Sequence, residues 1–332
     1  MDDLLRPVVV APMAGGPTTT ALVKGAAGAG AVGFLAAGYK KPDDVEAELR
    51  EMSGIPFGLN IFVPMPPAPD VEALERYRRL LRPEAERFQV DLPPLRLDDD
   101  DSFGAKVALA ETYAVPLVSF TFGVPERAIV ERLQRAGCRV LVTVTEADEA
   151  RRALAVDPDG LIAQAGAAGA HSSTTDPARF RGDSTAEAVL AEVRALTGKP
   201  VVVAGGVMSA AGVSQLLEKG ASAVQCGTAF LLADEAGTRK AQRDAMLHGT
   251  YRKTVITRAF TGQPARGLAN RFTETYSAAA PIGYPAVHHL TAPIRAAAAR
   301  AGDAGSLNLW AGTGHAQART GTVADLVGHL MP

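Results

Sequence analysis

The 332-residue sequence is poor in cysteine and in aromatic residues, with two cysteines and 5% Phe, Trp and Tyr. Cys138 and Cys226 lie in apolar surroundings without CxxC spacing, which argues against a disulfide framework or a zinc site. The net charge of -2 disfavours nucleic acid or an anionic membrane as partner. Apolar runs of about six to ten residues are too short to span a bilayer. The acidic start, Met1-Asp2-Asp3, does not resemble a signal peptide. We therefore expect a cytoplasmic protein without a metal site.

What the chain has instead is eight short apolar runs with helical patterns between them. Most of the runs are continuous rather than alternating, which indicates strands buried on both faces, as in parallel sheets covered by helices. The predicted strands are Val8–Met13, Ala31–Ala37, Phe57–Val63, Leu117–Phe122, Arg139–Val144, Gly160–Ala165, Val201–Gly205 and Ala223–Gly227. The predicted helices are Thr18–Ala29, Asp43–Met52, Glu126–Ala136, Glu146–Val156, Ala186–Leu196 and Ser209–Lys219. This order predicts an α/β fold, a TIM (β/α)8 barrel, with a doubly wound sheet as the alternative.

Two segments interrupt the strand and helix repeat. The first is rich in proline, carries an amphipathic pattern at Val71–Phe88 and then the acidic run Asp98–Asp101, for which we expect a solvated turn. Insertions at the carboxyl ends of barrel strands usually build the substrate pocket. We therefore predict a smaller, mostly helical lid domain over the barrel. The predicted boundaries are residues 1–63, 104–233 and 301–332 for the barrel, and residues 64–103 and 234–300 for the lid.

Glycines end the last two predicted strands. Gly205 and Gly206 precede a helix that starts near Ser209, and Gly227-Thr228 ends the eighth strand. In barrels the loops after these two strands often bind a phosphate through backbone amides. The glycines leave room for the anion, and Thr228 adds a hydroxyl donor. The sequence predicts a phosphate site here, although each glycine pair alone is also explained by a tight turn.

A run of small residues separates Gln164 from a single histidine, His171. Small residues let the backbone approach a flat ligand closely, and a histidine beside such a ligand can exchange a proton with a substrate. The side-chain amides of Asn60 and Gln164 are candidates to bind the polar edge of a heterocycle, or else are satisfied by the backbone. Together with the phosphate site, this pattern favours FMN over a dinucleotide.

The motifs, taken in order, resemble the nitronate monooxygenase family, formerly called 2-nitropropane dioxygenases. The matching pieces are Ala11–Pro17, Phe57–Phe62, Ser119–Gly123, Gln164–His171, Ala204–Val207, Val224–Phe230, Thr257–Gly267, Asn270–Phe272 and Trp310–Gly312. Each piece is weak alone, but together they cover nearly the whole chain and are specific. The block Thr257–Phe272 is similar to class I members, which act on propionate 3-nitronate and other alkyl nitronates.

The resemblance implies an FMN-dependent monooxygenase that oxidises alkyl nitronates with dioxygen to carbonyl and nitrite or nitrate products, as a monomer or homodimer. The FMN contacts that it implies are Pro12, Met13, Ala14, Asn60, Gln164, Gly169, Gly205, Gly206, Gln225, Cys226, Gly227 and Thr228. It makes His171 the active-site histidine, which either takes the α-proton of a nitroalkane or holds the nitronate when protonated. The alternative is an FMN-dependent NAD(P)H reductase, of the enoyl-acyl carrier protein or quinone type.

Two details of the resemblance bear on the substrate. The family pattern Glu-Ala-Gly-Gly-His reads Ala167-Ala168-Gly169-Ala170-His171 in this chain, so a carboxylate is lost and one glycine gains a methyl group. Side chains in the lid segments are candidates to bind a substrate carboxylate or nitro group, because an arginine fork suits either planar anion. These candidates are Tyr276, Tyr284, Arg258 and Arg266, for which packing or an ion pair within the lid is the alternative. We expect His288, His289 and His315 to be surface or packing residues, although they could border the pocket.

Overall fold

A computed structural model describes residues 4–66, 68 and 70–332, and its centre is a closed barrel of eight parallel strands. In chain order the strands are β1 (Val8–Val10), β2 (Val32–Ala36), β3 (Gly58–Phe62), β4 (Leu117–Thr121), β5 (Arg139–Val144), β6 (Gly160–Gln164), β7 (Ala170–His171), β8 (Val201–Ala204), β9 (Ala223–Cys226), β10 (Thr254–Thr257) and β11 (Ala265–Leu268). The barrel order is β1-β2-β3-β4-β5-β6-β8-β9, and β9 pairs with β1 to close it. All eight predicted strands are confirmed, and so is the TIM-barrel fold.

Helices surround the barrel and cover one of its ends. They are α1 (Thr20–Gly28), α2 (Pro42–Glu51), α3 (Val71–Leu80), α4 (Arg82–Arg87), α5 (Phe103–Thr112), α6 (Arg127–Arg135), α7 (Ala147–Leu154), α8 (Ala186–Arg194), α9 (Ala210–Glu218), α10 (Lys240–Leu247), α11 (Arg271–Tyr276), α12 (Ala286–Ala301) and α13 (Val323–Leu330). The six predicted helices are α1, α2, α6, α7, α8 and α9. Across the described residues, no helix has both the length and the apolar character that crossing a membrane requires.

Local signals explain where these helices begin and end. The Ser209 side chain accepts a hydrogen bond from Gly212 N and caps α9, as expected from the sequence. Gly220 follows α9 with a φ of 95°, a backbone conformation that glycine adopts without strain. The predicted helix Val71–Phe88 is divided into α3 and α4 at Leu81 because Pro83 lacks the N–H that a continuous helix needs.

The strands are apolar throughout because the barrel buries both of their faces. In β1, Val9 joins a cluster inside the barrel with Phe34 and Ile162, while Val8 and Val10 pack outward against the helices. Successive side chains of a strand point to opposite faces. A strand that is covered on both sides therefore needs a continuous apolar run, which is the pattern that predicted these strands.

A second body stands over the carboxyl ends of the barrel strands. Its sheet has the order β10-β11-β7, with antiparallel pairing. Its hydrophobic cluster joins helices from both of the segments predicted as insertions, with Leu74 and Tyr77 of α3 packed among Phe272 of α11 and Leu290 of α12. Strands β10 and β11 lie in a segment for which the sequence predicted mostly helix. The predicted domain boundaries themselves stay a prediction.

Candidate functional site

A cavity of about 390 Å³ lies at the carboxyl ends of the barrel strands, under the second body. We call the residues at the strand ends the barrel wall, namely Ala11–Ala14, Asn60, Gln164, Ala204–Gly206 and Gln225–Thr228. We call the residues contributed from the opposite side the outer wall, namely Thr261, His288, Arg295 and Trp310. Cavities at this end of a (β/α)8 barrel are the usual position of its active site.

The loops after β8 and β9 form a glycine cradle in the barrel wall. Gly205 and Gly206 have φ values of 128° and 76°, which side chains rarely tolerate. A Cβ on Gly206 would lie 3.1 Å from Thr313 Oγ1 and 3.2 Å from the Ala167 Cβ. Within the described residues, the amides of Gly206 and Gly227 donate to no backbone carbonyl. Two unpaired backbone N–H groups, on residues that have no side chain to block access, are suited to bind an anion.

Gln225 presents an acceptor that the protein does not satisfy. It is the third residue of β9 and lines the cavity. Its Oε1 is buried and has no hydrogen-bond partner among the described residues. A buried acceptor without a partner costs free energy, so such an atom in a cavity is expected to receive a donor from a ligand.

Asn60 and Gln164 were predicted to bind the polar edge of a heterocycle, but their side-chain amides form hydrogen bonds mainly within the protein. Asn60 Nδ2 donates to Ser119 Oγ and Thr121 Oγ1, both at 2.9 Å. Gln164 Nε2 donates to the backbone carbonyl of His171 at 3.0 Å, and its Oε1 accepts from Ser173 N at 2.7 Å. Both residues line the cavity. The Gln164 side chain, however, holds residues 165–173, which we call the histidine loop, in position. This is the backbone alternative left open from the sequence.

The small residues between Gln164 and His171 pack mainly against other backbone. A Cβ on Gly166 would lie 2.3 Å from Gly182 C, and one on Gly169 would lie 2.6 Å from Ala311 C and Gly312 N. At these two glycines the tight neighbours belong to the chain itself, while Ala168 and Gly169 also line the cavity. The predicted residues Pro12, Met13, Ala14, Cys226 and Thr228 line it as well, and burial raises the pKa of the Cys226 thiol to about 12.

His171 lies on β7 and therefore on the sheet of the second body, not at the end of a barrel strand. Its Nε2 is 2.9 Å from Thr261 Oγ1, and its ring packs against Phe122 and Trp310 with centroid distances of 5.6 and 5.5 Å. Burial, together with the positive charge of Arg295, lowers the pKa of His171 to about 3. The imidazole is therefore neutral at pH 7.

Left-handed backbone occurs around the cavity at residues that are not glycine. Tyr39, Phe122 and Ala170 have φ values of 69°, 74° and 65°, and all three line the cavity. Such conformations cost about 1–3 kcal/mol each and are concentrated at functional sites. At Ala170 the strain coincides with the position where the resembling family carries glycine.

None of the four substrate candidates from the lid segments is among the residues that line the cavity. Tyr276 is buried in the cluster of the second body. Arg258 donates to the carbonyl of Ala280, and Arg266 binds the carbonyls of Gly166 and Gly182. Both arginines therefore hold neighbouring backbone segments together through hydrogen bonds. Tyr284 lies nearer, with its ring 5.1 Å from Phe122 and 6.0 Å from His171.

Arg295 of the outer wall was not predicted from the sequence, and His288 was named there only as a residue that could border the pocket. Arg295 and His288 come from α12, where their spacing of seven residues places both on one face. The His288 ring stacks on Tyr39 at 4.2 Å, and Arg239 is a second arginine that lines the cavity. Recognition of α12 as a helix, with an arginine on its apolar face, is the signal that would have found Arg295. His289 instead pairs with Asp99 at 2.7 Å.

Within the described residues, His, Cys, Asp and Glu side chains form no group of three that could hold a metal ion.

The chain is similar to known proteins over its whole length. Residues 1–332 match the family described as "Nitronate monooxygenase". Among curated relatives, a "Probable nitronate monooxygenase" of Staphylococcus aureus (strain MSSA476) is 31% identical over 332 residues, which cover 98% of this chain and 93% of that protein.

Solved structures give two further similarities. The nitroalkane oxidase from Streptomyces ansochromogenes superposes with a TM-score of 0.93 at 43% identity, covering 99% of this chain and 96% of that one. FabK from Thermotoga maritima superposes with a TM-score of 0.71 at 21% identity, covering 99% of this chain and 92% of that one, and shares the fold.

Proposed function

Because this chain belongs to the nitronate monooxygenase family, we propose that it oxidises alkyl nitronates such as propionate 3-nitronate with FMN and dioxygen, giving carbonyl and nitrite or nitrate products. It is an oxidoreductase of nitroalkanes or nitronates, and its family implies a flavin. The observation that carries the finer proposal is a neutral histidine facing a glycine cradle across one cavity. That arrangement provides a phosphate site and a proton acceptor in the lining of the same cavity.

The residues of the barrel wall fit FMN. The free amides of Gly206 and Gly227 suit its phosphate, and the unpaired Gln225 Oε1 suits a donor such as a ring N–H or a ribityl hydroxyl. FMN, when bound, supplies the electron acceptor for oxidation of the substrate. The protein supplies the position of the substrate, the exclusion of water under the second body, and the proton chemistry.

His171 is proposed as the base for neutral nitroalkanes. Its Nε2 is engaged by Thr261 Oγ1, and Nδ1 has no hydrogen bond to the described residues, so Nδ1 is the atom proposed to take the α-proton. A lowered pKa makes the free imidazole a weak base. The anion that forms on deprotonation raises the affinity of the ring for the proton, because an opposite charge nearby favours imidazolium.

The test is anaerobic flavin reduction. The purified protein is checked for FMN by mass, and then propionate 3-nitronate is added to one cuvette and NADH to another. We expect the nitronate alone to bleach the flavin or to give a semiquinone. Fast bleaching by NADH alone would instead assign the protein to the flavin reductases. A bound flavin of a different mass would contradict FMN but not the reaction.

A further inference from the structure

Arg295 is a buried cation that makes its hydrogen bonds to neutral groups. Its side chain lines the cavity and is 7% exposed. Nε donates to Thr291 Oγ1 at 3.1 Å, and Nη2 donates to the carbonyl of His288 at 2.8 Å. Nη2 is also 3.3 Å from His288 Nδ1. In the part of the chain that the structure describes, no ion pair joins Arg295 to Asp or Glu.

The guanidinium stays charged in spite of its burial. Burial lowers the pKa of Arg295 to about 10, the charge of Arg239 lowers it further, and Tyr39 opposes both. The group is therefore protonated at pH 7. Two arginines line one cavity, and a buried charge is unfavourable unless it is paired. The missing partner is expected to arrive with the ligand.

The contacts of Arg295 also fix the direction in which it can accept that partner. Its Nη1 makes no hydrogen bond within the described residues, while Nε and Nη2 are held by Thr291 and His288. His288 is in turn held by its stack on Tyr39, with an interplanar angle of 4°. Burial keeps the pKa of His288 well below its ordinary value, so its neutral ring adds no competing charge. The open edge of the guanidinium is thus preorganised for a planar oxyanion.

Arg295 acts on the same space as His171. Both side chains line the cavity, and the positive charge of Arg295 is felt at the His171 ring. A histidine that is neutral before the substrate binds can remove a proton, but it brings no charge of its own to attract a nitronate that arrives already ionised. The two roles that the sequence left open for His171 therefore require two residues.

We propose that Arg295 is a catalytic residue that binds the nitro oxygens of the substrate and holds the negative charge of the nitronate, while His171 handles the proton. This inference rests on the proposed function. For a neutral nitroalkane, the α-carbon–hydrogen bond breaks and the proton goes to His171. The electron pair of the broken carbon–hydrogen bond forms the carbon–nitrogen double bond, and the π electron pair of the nitrogen–oxygen bond moves onto the oxygen beside Arg295. A preformed nitronate binds there directly.

The experiment measures anion binding to the flavin-loaded protein with nitrate, a planar oxyanion that does not react. Titrations are followed by the flavin absorbance in wild type, Arg295→Met, Arg295→Lys and Arg300→Met. Methionine keeps the length of the buried chain, lysine keeps the charge without the fork, and Arg300 is exposed on the same helix. We expect a loss of at least tenfold in Arg295→Met, a smaller loss in Arg295→Lys, and no change in Arg300→Met. Unchanged nitrate affinity in a folded, flavin-loaded Arg295→Met would overturn the proposal.

Two substrates separate the nitronate group from a carboxylate elsewhere on the molecule. Ethyl nitronate has no carboxylate, and propionate 3-nitronate has one. We expect Arg295→Met to raise the KM of both by at least tenfold. A defect confined to propionate 3-nitronate would contradict binding at the nitro group. If wild type oxidises neither nitronate while nitrate binding still depends on Arg295, the proposed function fails and the anion site remains.

Discussion

The two walls of the cavity differ in chemistry and in how they are built. The barrel wall offers glycines, free amides and an unpaired amide oxygen at the ends of β8 and β9. The outer wall offers His288, Arg295 and Trp310, which are aromatic or basic. One wall acts through its backbone and is suited to a phosphate-bearing cofactor. The other acts through side chains and is suited to a small anion.

Only the barrel wall could be predicted from the sequence, because its position follows from the topology of the strands. Closure of eight parallel strands brings every carboxyl end to the same edge, so glycines that follow β8 and β9 must meet there. A side chain on α12 reaches the cavity only if that face of the helix is turned toward it. Helix rotation is decided by packing, here of Leu290 and Ile294 into the cluster of the second body.

The largest expected effect is on the proton chemistry between the walls. Asparagine at His171 can still bond to Thr261 but cannot take a proton, so His171→Asn is expected to slow oxidation of neutral nitroalkanes about 10²–10⁴-fold. FMN content should remain full, since no cradle atom changes. Stopped-flow reduction of the flavin measures the rate, and His329→Asn, exposed on α13, is the control. Loss of flavin from His171→Asn would indicate that His171 holds the cofactor and would contradict its role in proton transfer.

The next effect tests the cradle. A Cβ on Gly227 would lie 3.4 Å from the Ala11 Cβ and 3.8 Å from Met13 Sδ, both residues of the barrel wall. Valine there is therefore expected to narrow the proposed phosphate space and to weaken FMN binding at least about tenfold, or 1.4 kcal/mol. Gly227 has a φ of -111°, so the change adds no left-handed strain, unlike Gly206→Val. FMN released on denaturation measures occupancy. Gly198→Val is the control, because a Cβ there meets nothing within 4 Å. Full FMN content in Gly227→Val would remove the phosphate site.

Gln225→Leu is expected to have opposite effects with and without cofactor. Removing the unpaired buried Oε1 should stabilise the flavin-free protein by about 1 kcal/mol, while FMN binding loses about 1–2 kcal/mol with its acceptor. Thermal unfolding with and without FMN measures both. The control is Gln242→Leu, because Gln242 Nε2 already donates to the Trp310 carbonyl at 2.9 Å and its loss should destabilise both forms. Equal destabilisation by the two variants would mean that Gln225 has a protein partner.

The smallest expected effect concerns the strained loop that joins the walls. Ala170→Gly relieves the left-handed conformation at a φ of 65° and is expected to stabilise the protein by up to about 1 kcal/mol, net of the added freedom of the unfolded chain. Urea unfolding measures the gain. Ala168→Gly lies in the same loop without positive φ and should be neutral or destabilising. A loss of stability in Ala170→Gly would show that the methyl group packs usefully.

Prediction from the sequence succeeded where a local pattern has one structural meaning. The continuous apolar runs marked all eight barrel strands, and Ser209 marked the start of α9. It failed for β7, β10 and β11, which are only two to four residues long. The partners of β7 are also distant in sequence, since His171 pairs with Ala265 and Ala170 with Arg266. Strands that short carry too few residues for an alternating pattern to be recognised.

Arg258 and Arg266 illustrate the same limit within the site. They lie in the block Thr257–Phe272 that is similar to class I members, yet their guanidinium groups bind backbone carbonyls. Arg295 lies outside that block and reaches the cavity. A guanidinium fits a carbonyl and an oxyanion equally well by residue type, so only position separates a structural arginine from a binding one.

The pattern of apolar residues is sufficient to predict the barrel and the positions of its glycine turns, because burial on both faces and strand order follow from that pattern and from the topology of parallel strands. Which side chains face the cavity depends instead on tertiary packing. It placed His171 on a sheet of the second body, gave Gln164 to the histidine loop, and left Arg295 without a carboxylate. These outcomes depend on packing between distant segments, which no local pattern encodes.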